Sequence, residues 1–545
     1  MGNIMYLYNY ENPSNTIVYK HAFDYLFAPI PSANYHPENG INDVSKLELP
    51  ATTLSEGCYS HMFYGCEAIT TSPKLPATTL VKDCYFAMFD GCTSLNKVIL
   101  KASDISATNC LWGWLDGVNS TGEVYNAGNA SFVEDSVNGI PTGWEEHSLR
   151  KSFVIHHNLQ NAGGNNGTVS VNIAALSSPQ TMAYTKDLYD GYFTSLKLND
   201  LVKLRKNEKM FVKGNLSRDN YSTIYTNMVI TSNDDNVKAS ITGSINKVIG
   251  DTMRNYACKN FFKNSTALTN SPTLPSTTLA TGCYSNMFEG CTSLIELPTL
   301  PAGDCSSTNL ADNCFASMFK GCTSLTTIPS DTIFRSCILA NGCYANMFEG
   351  CTSLTTVNDL NVHFSTADNC FNGTFKGCIN LTTVSDFSSS IITATRCYYE
   401  MFKNCTSLVN MPLIDLASIT PYCCAYMFDG CTSLVIPNGM SLTGNSVMDA
   451  ADYCYAGMFS NCSNIEYAPR LKNRTLATRC YYRMFDGCSK LRYINSYATD
   501  ISASYCTYQW VRGVAESGTF VKDATMSSWS TGISGIPEGW TVQNS

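Results

Sequence analysis

Apolar residues recur at positions i, i+4 and i+8 inside a segment that is repeated along most of the chain. In one copy Cys283, Met287 and Cys291 hold these positions, and Tyr284 with Phe288 forms a second pair four residues apart. Residues spaced in this way share one face of an α-helix. The pattern therefore predicts a helix or helical turn in each copy, with an apolar stripe that faces a core.

A short, Thr-rich and β-branched stretch follows each apolar stripe, as in Leu325-Thr-Thr-Ile328 and Leu354-Thr-Thr-Val357. Such a stretch predicts one short strand closed by a turn. A unit of this size cannot bury a helix and a strand alone, so neighbouring units must stack with strands on one face and helices on the other. The predicted fold class is an α/β solenoid. Its repeated core is represented by five residues of one copy: Cys283, Met287, Phe288, Cys291 and Leu294.

Ten full copies fall into two series, with 26 to 31 residues between the first cysteines of neighbouring copies. These first cysteines are Cys58 and Cys84 in one series, and Cys283, Cys314, Cys343, Cys370, Cys397, Cys423, Cys454 and Cys480 in the other. A degenerate copy follows each series, and Trp114-Leu-Asp-Gly117 in the first matches Trp510-Val-Arg-Gly513 in the second. Solenoids need atypical end units to cover the last apolar face, so both series are predicted to end in the same cap.

The segment between the two series carries no repeat. Apolar and polar residues alternate in Val169-Ser-Val171-Asn-Ile173 and again from Ile241 to Ile245, which predicts a small β-rich domain. The predicted domains are a short array with a C-terminal cap at 1–147, the β-rich domain at 148–250, and a long array with a C-terminal cap at 251–545.

The unit Cys-Tyr-x-x-Met-Phe-x-Gly-Cys-Thr-Ser-Leu, together with Leu75-Pro-Ala-Thr-Thr-Leu80, resembles a known repeat family. The family is the BspA-type, or Treponema pallidum-type, leucine-rich repeat of bacterial surface proteins and of gut-bacterial and phage genomes. The resemblance covers about three quarters of the chain, and Met-Phe stands where Ala-Phe is usual in the family. It implies two leucine-rich-repeat arrays separated by the β-rich domain. It also suggests adhesion or recognition, and it implies no catalytic residue.

Composition narrows the classes of partner. The chain has 545 residues, of which 44% are apolar and 14% charged, and this balance is typical of a globular protein. Its net charge of -9 and the lack of a basic run argue against nucleic acid and membrane surfaces as partners. No apolar run reaches the length of a transmembrane helix, so no membrane insertion is expected. The first 19 residues contain no Lys or Arg, which argues against a standard export signal.

The 26 cysteines follow the repeat, because twenty of them are two per copy in ten copies. Two cysteines eight residues apart on a helix lie about 12 Å apart, too far for a disulfide within one unit. No Cys-x-x-Cys occurs, which argues against a zinc finger. The prediction is a set of buried free thiols, with metal or redox chemistry as the open alternative. No metal and no cofactor is predicted.

One Cys/His pair has the spacing of a nucleophile and its base, since His61 lies one turn beyond Cys58. Position 61 varies among copies, however, and holds Ala87, Asn286 and Ser317 elsewhere. We therefore predict no catalytic residue and no enzyme.

Three tyrosines of the late copies are the candidate ligand-binding residues: Tyr399, Tyr426 and Tyr482. Each stands at an outer position where Ala, Ser or Asn is usual, and amphipathic aromatic residues are favoured at interfaces. Ordinary surface variation is the alternative. A second surface feature is the residue before the repeat Gly, which alternates partly in charge, as at Lys320, Glu349, Lys403 and Asp429. This column predicts either ion pairs between neighbouring units or a solvated edge.

The function predicted from these features is recognition or adhesion without chemistry. The first setting is a phage virion component (a fibre, decoration or host-binding protein) that is assembled in the host cytoplasm and binds a bacterial surface glycan or protein. The alternative is a BspA-like adhesin at the bacterial cell surface, and a further alternative is an intracellular scaffold. Other virion proteins are possible partners, and the formation of a homo-oligomer is left open.

Overall fold

The structure, a computed structural model, is a solenoid of about 15 coils with almost no helix. It describes residues 2–8, 14–29, 41, 43–135, 137–149, 151–159, 167–176, 181–215, 225–250, 252–274, 278–300, 310–328, 339–358, 367–386, 394–412, 418–442 and 449–545. The solenoid part of the predicted fold class is confirmed. The predicted boundaries of the three domains stay a prediction.

Regular elements are few and short. The described part of the chain has two α-helices, α1 (Met5–Tyr8) and α2 (Asn246–Ile249), and a 3-10 helix at Leu188–Asp190. The strands are β1 (Thr71–Leu75), β2 (Lys97–Leu100), β3 (Gly122–Asn126), β4 (Trp144–His147), β5 (Phe153–Leu159), β6 (Val169–Ala175), β7 (Thr181–Thr185), β8 (Thr194–Leu196), β9 (Leu201–Leu204), β10 (Lys209–Asn215), β11 (Asn227–Ser232), β12 (Val237–Thr242), β13 (Thr327–Ile328), β14 (Thr356–Val357), β15 (Thr383–Val384), β16 (Tyr493–Ser496), β17 (Thr519–Lys522) and β18 (Thr541–Asn544).

These strands form two kinds of sheet. Parallel sheets run along the solenoid in the orders β1-β2-β3-β4, β13-β14-β15 and β16-β17-β18, with one strand from each coil. The strand predicted after each apolar stripe is therefore present in these coils. Between the two runs of coils, antiparallel pairs build one sheet in the order β12-β5-β10-β7-β8 and another in the order β11-β6-β9.

The apolar stripe of each unit is a string of four-residue turns, and the predicted helix is not formed. Every fourth residue has a positive φ, with 57° at Gly282, 57° at Asn286 and 74° at Gly290. The Met287 N–H donates to the carbonyl of Tyr284 at 3.2 Å, which closes one turn within the coil. The Tyr284 N–H instead donates to the carbonyl of Cys314 in the next coil at 2.9 Å. Bonds within a coil thus alternate with bonds between coils.

An i, i+4, i+8 spacing of apolar residues fits both an α-helix and a series of four-residue turns. The residue directly before each apolar position decides between the two. An α-helix drifts by about 40° over four residues, whereas a four-residue turn brings each fourth side chain back to the same direction. A left-handed residue at every fourth position ends any α-helix, and Gly and Asn accept that conformation most readily. Gly282, Asn286 and Gly290 therefore favour turns.

The core consists of columns of the same residue type, one residue from each coil. Phe288 stacks on Phe319 with 5.7 Å between ring centroids, and Phe319 stacks on Phe348 at 5.5 Å. The five residues taken to represent the core of the unit all have 0% exposure: Cys283, Met287, Phe288, Cys291 and Leu294. Offset stacking adds to the free energy of burial of each ring.

The second cysteine of each copy has a backbone partner. Its thiol donates to the carbonyl of the core Phe in the preceding coil, as from Cys322 to Phe288 at 3.1 Å. The same bond, at 3.0 to 3.2 Å, occurs at Cys66, Cys92, Cys291, Cys351, Cys378, Cys405, Cys431, Cys462 and Cys488. The 24 described cysteines are buried and none of them forms a disulfide, which confirms the predicted buried thiols. Cys305 and Cys337 lie outside the described residues.

Two large apolar cores divide the described coils, and a third, small cluster packs Ile99 and Tyr125 of the early coils against Phe211 on β10. One extends from Ile4 to Trp144, and the other contains the antiparallel strands together with the coils up to Trp540. The antiparallel strands continue directly into the second run of coils, because Met228 on β11 donates its N–H to the carbonyl of Phe261 at 2.7 Å. These strands therefore cover the apolar end of the first coil in that run.

Candidate functional site: the turn face of the last coils

The outer positions of the four-residue turns provide a surface that can vary without disturbing the core. Two residues of each turn, such as Met287 and Phe288, are fully buried, while the next two, Glu289 and Gly290, are partly exposed. We call the outer side of the turns from 396 to 512 the turn face. The candidate site lies here because aromatic and cationic residues replace Gly, Asn, Ala and Ser on these coils.

Five residues of the turn face form a continuous stack, which we call the arginine–tyrosine column: Arg396, Tyr422, Tyr453, Arg479 and Tyr505. The Arg396 guanidinium carbon lies 4.8 Å from the Tyr422 ring centroid, and the Tyr422 and Tyr453 rings stack at 4.4 Å with 11° between their planes. Arg479 lies between two rings, 5.4 Å from Tyr453 and 5.1 Å from Tyr505. Cation–π and aromatic contacts therefore link five successive coils.

Every member of the column has a left-handed backbone, with φ between 53° and 58°. In the four preceding coils the equivalent positions are Gly282, Asn313, Gly342 and Asn369, which have the same conformation. A bulky side chain in this conformation costs about 1–2 kcal/mol relative to glycine. The column thus places aromatic and cationic groups, exposed at Arg396 and Tyr505 and partly exposed elsewhere, at unfavourable backbone positions, and this combination is found at functional sites.

The three tyrosines predicted from the sequence lie on the same face and have different ring contacts. Tyr399 and Tyr426 meet edge to face at 6.0 Å, whereas Tyr482 stacks on Tyr508 at 5.6 Å. All three predicted tyrosines are partly buried. Burial, with the nearby phenols of Tyr399 and Tyr482, raises the pKa of Tyr426. The sequence prediction did not identify the column beside these residues, and a ligand-binding role of the three tyrosines stays a prediction.

Charged side chains at the edge of the turns pair between coils. Lys320 lies 2.7 Å from Glu349, and Lys403 lies 3.3 Å from Asp429, so the predicted ion pairs between neighbouring units are confirmed at these positions. The guanidinium of Arg512 donates two hydrogen bonds to Asp486, at 2.8 and 2.7 Å. Pairs of this kind contribute little to stability, and they favour the observed register of the coils.

The Cys58 and His61 pair does not form a nucleophilic site. Cys58 is fully buried, and burial raises the pKa of its thiol to about 12, so the thiol is protonated at neutral pH. The His61 ring instead stacks on Tyr25 at 4.2 Å and lies 3.4 Å from a carboxylate oxygen of Asp24. Together with Phe86, these rings form a smaller aromatic patch on the early coils, which the sequence prediction did not identify.

One group of side chains has donor atoms suited to a metal ion: Glu123, Glu145 and His147, with ligand atoms within 4.8 Å of one another. Lys213 lies 2.8 Å from one oxygen of Glu123, and the Tyr125 hydroxyl donates to the other oxygen at 2.8 Å. Hydrogen bonds from His147 and Lys213 hold the pKa of Glu123 far below its usual value. Both oxygens of Glu123 thus have partners, and the group joins the parallel sheet of the early coils to β10.

Comparisons with protein-family models, curated proteins and solved structures find no match to this chain. In the described part of the chain, neither helix has the length and apolar character that a membrane crossing requires. The turn face is therefore interpreted from its own geometry.

Proposed function

We propose that this chain is a recognition or adhesion protein without catalytic chemistry that binds a bacterial surface glycan or protein through the turn face. The observation that carries the proposal is the replacement of Gly and Asn by Arg and Tyr at five successive left-handed positions. Each replacement has a backbone cost of about 1–2 kcal/mol. Tyrosine and arginine are among the residues most enriched at binding hot spots. A selected binding surface accounts for both facts.

The backbone holds this surface in place before a ligand arrives. The Tyr422 N–H donates to the carbonyl of Asp452 at 3.0 Å, and the Tyr453 N–H donates to the carbonyl of Thr478 at 3.0 Å. Hydrogen bonds of this kind join each coil to the next and fix the spacing of the side chains. A preorganised surface loses little conformational entropy when it binds, so a larger part of the contact energy appears as affinity.

The proposed architecture has two leucine-rich-repeat arrays of the BspA type, with the β-rich domain of residues 148–250 between them. The long array, 251–545, presents the turn face.

The proposed setting is a phage virion, as a fibre, decoration or host-binding protein. Buried cysteines without a disulfide at 24 described positions suit a protein assembled in a reducing cytoplasm. A bacterial cell-surface adhesin is the second candidate and an intracellular scaffold the third. Detection in purified virions, and not in bacterial envelope fractions, would favour the first setting over the second.

The first prediction concerns the double variant Tyr422→Ala/Tyr453→Ala in the full chain. We expect it to bind intact host bacteria or their isolated envelopes at least about tenfold more weakly than the wild type, since truncation of a hot-spot residue costs more than about 1 kcal/mol. The measurement is equilibrium binding of the fluorescently labelled protein. Tyr192→Ala is the matched control, because Tyr192 is 58% exposed and lies between β7 and β8, outside the turn face.

Unchanged binding by the double variant, with circular dichroism that matches the wild type, would reject the turn face as the recognition surface. A loss of equal size in Tyr192→Ala would also reject it, because the effect would then be general to exposed tyrosines.

A further inference from the structure

The turn face carries more positive than negative charge, although the whole chain has a net charge of -9. The cations along its described residues are Arg396, Lys403, Arg479, Arg483 and Arg512, and the carboxylates are Glu400, Asp429, Asp452 and Asp486. The carboxylates already have partners in the structure. Lys403 contacts both Glu400 and Asp429, Arg512 takes both oxygens of Asp486, and Asp452 accepts the Thr478 N–H at 3.0 Å.

Two guanidinium groups of the turn face, those of Arg396 and Arg479, have no carboxylate partner among the residues that the structure describes. Arg396 lies over Tyr422, while Arg479 lies between Tyr453 and Tyr505 and also donates to the Tyr453 hydroxyl. Stacking uses the faces of a guanidinium and leaves N–H groups at its edge. That edge is a planar set of donors that matches the two oxygens of a carboxylate or a sulfate.

The tyrosines between these arginines also favour a negatively charged ligand. The Tyr422 and Tyr453 rings stack on each other, so a ligand that runs along the solenoid meets their edges and hydroxyl groups. The edge of an aromatic ring carries partial positive charge, and a phenol hydroxyl donates a hydrogen bond. The outer side of the column therefore presents guanidinium donors together with the positive edges of the rings.

The spacing of the column indicates a polymer. Arg396 and Arg479 are three coil steps apart, which corresponds to about 14–15 Å at the usual spacing of paired strands. Two uncharged tyrosines fill the interval. An extended chain that presents oxyanions at this interval, with hydroxyl-rich units between them, matches the order of cation, phenol, phenol and cation.

We infer that the arginine–tyrosine column binds an anionic polysaccharide, with oxyanions of the glycan held at Arg396 and Arg479. This inference rests on the proposed function and adds the chemical class of the ligand. The oxyanion is a carboxylate or a sulfate, since both have the oxygen spacing that a guanidinium edge accepts.

The test uses three polymers with one backbone: dextran, carboxymethyl-dextran and dextran sulfate. The full chain is expected to bind at least one charged polymer and to show no binding to dextran at the same concentration. The variant Arg396→Gln/Arg479→Gln is expected to lower that affinity at least about tenfold, because it removes both fork-shaped donor sets. Binding to carboxymethyl-dextran alone would identify a carboxylate ligand, and binding to dextran sulfate alone a sulfate ligand.

The matched control is Lys197→Gln/Lys206→Gln, which removes the same charge from the segment of antiparallel strands and is expected to change the affinity less than twofold. An equal loss in this control would overturn the inference, because binding would then follow net charge alone. Failure to bind either charged polymer, or equal binding to dextran, would overturn it as well. The two single arginine variants provide the same readout if the double variant does not fold.

The same variants separate this inference from the proposed function. If Tyr422→Ala/Tyr453→Ala loses binding to bacteria while Arg396→Gln/Arg479→Gln keeps it, the turn face stands as the recognition surface and the anionic ligand is rejected. If neither variant changes binding to bacteria, the proposed function itself is rejected.

Discussion

A rise in pH from 8 to 10 is expected to unfold the coils cooperatively. Burial raises the pKa of five thiols to about 12, at Cys58, Cys283, Cys291, Cys351 and Cys480. A thiol in the unfolded chain has a pKa near its ordinary value, so the folded pKa is the higher one. The stability that comes from the protonated form is therefore complete below about pH 9 and is lost as the pH rises towards 12.

The expected size of this effect is large. Each such thiol destabilises the fold by about 1.4 kcal/mol for each pH unit above its unfolded pKa. Five of them amount to about 7 kcal/mol for each pH unit, which is comparable to the whole stability of a typical domain, about 5–15 kcal/mol. Burial shifts other core thiols, such as Cys322 and Cys462, in the same direction.

The measurement is the urea midpoint by circular dichroism at several pH values from 7 to 10.5, with a phosphine reductant present throughout. Recovery of the native spectrum on return to pH 8 is the control for chemical damage. An equal midpoint at pH 8 and pH 10 would contradict the burial of the cysteines.

The second large effect is expected for Phe428→Ala, which should destabilise the coils by about 3–5 kcal/mol. Phe428 is fully buried and stacks between Phe402 at 5.6 Å and Phe459 at 5.7 Å. The coils above and below are held by hydrogen bonds between coils, such as that from the Phe428 N–H to the carbonyl of Met458 at 2.9 Å. Because these bonds fix the coil spacing, the cavity cannot collapse.

The urea midpoint at pH 7.5 measures this effect. Val435→Ala is the matched control, because Val435 is 39% exposed and belongs to the same repeat unit, and it should cost less than about 1 kcal/mol. If Phe428→Ala cost no more than this control, the stacked Phe column would not be a main source of stability.

The sequence alone predicts the stacking of coils and the buried residues, because the repetition of Cys283, Met287, Phe288, Cys291 and Leu294 requires equivalent places in successive units. The sequence does not directly predict the local backbone conformation. The i, i+4, i+8 spacing suits a helix as well as a four-residue turn, and only the residues between the apolar positions distinguish them. The positive-φ positions at Gly282, Asn286 and Gly290 carry that information.

The site was predicted only in part. Tyr399, Tyr426 and Tyr482 stand out because they interrupt a run of small residues. The arginine–tyrosine column lies at the position just before the first cysteine of each unit, where the earlier units hold Gly282, Asn313, Gly342 and Asn369. The change to Arg and Tyr is visible in the sequence. That these residues form one column is not visible in the sequence, because the units differ in length, with 26 to 31 residues between their first cysteines. The structure shows that the positions stack in space.

Hydroxyl-radical footprinting of the full chain, with and without the bacterial surface fraction that it binds, tests the recognition face most directly. The predicted result is that the ligand protects Tyr453, Tyr505 and Tyr508 from oxidation, while Tyr19 and Tyr192, which are 71% and 58% exposed and lie elsewhere, keep their reactivity. Protection of Tyr19 or Tyr192 with no change at the turn face would contradict the assignment of the recognition surface.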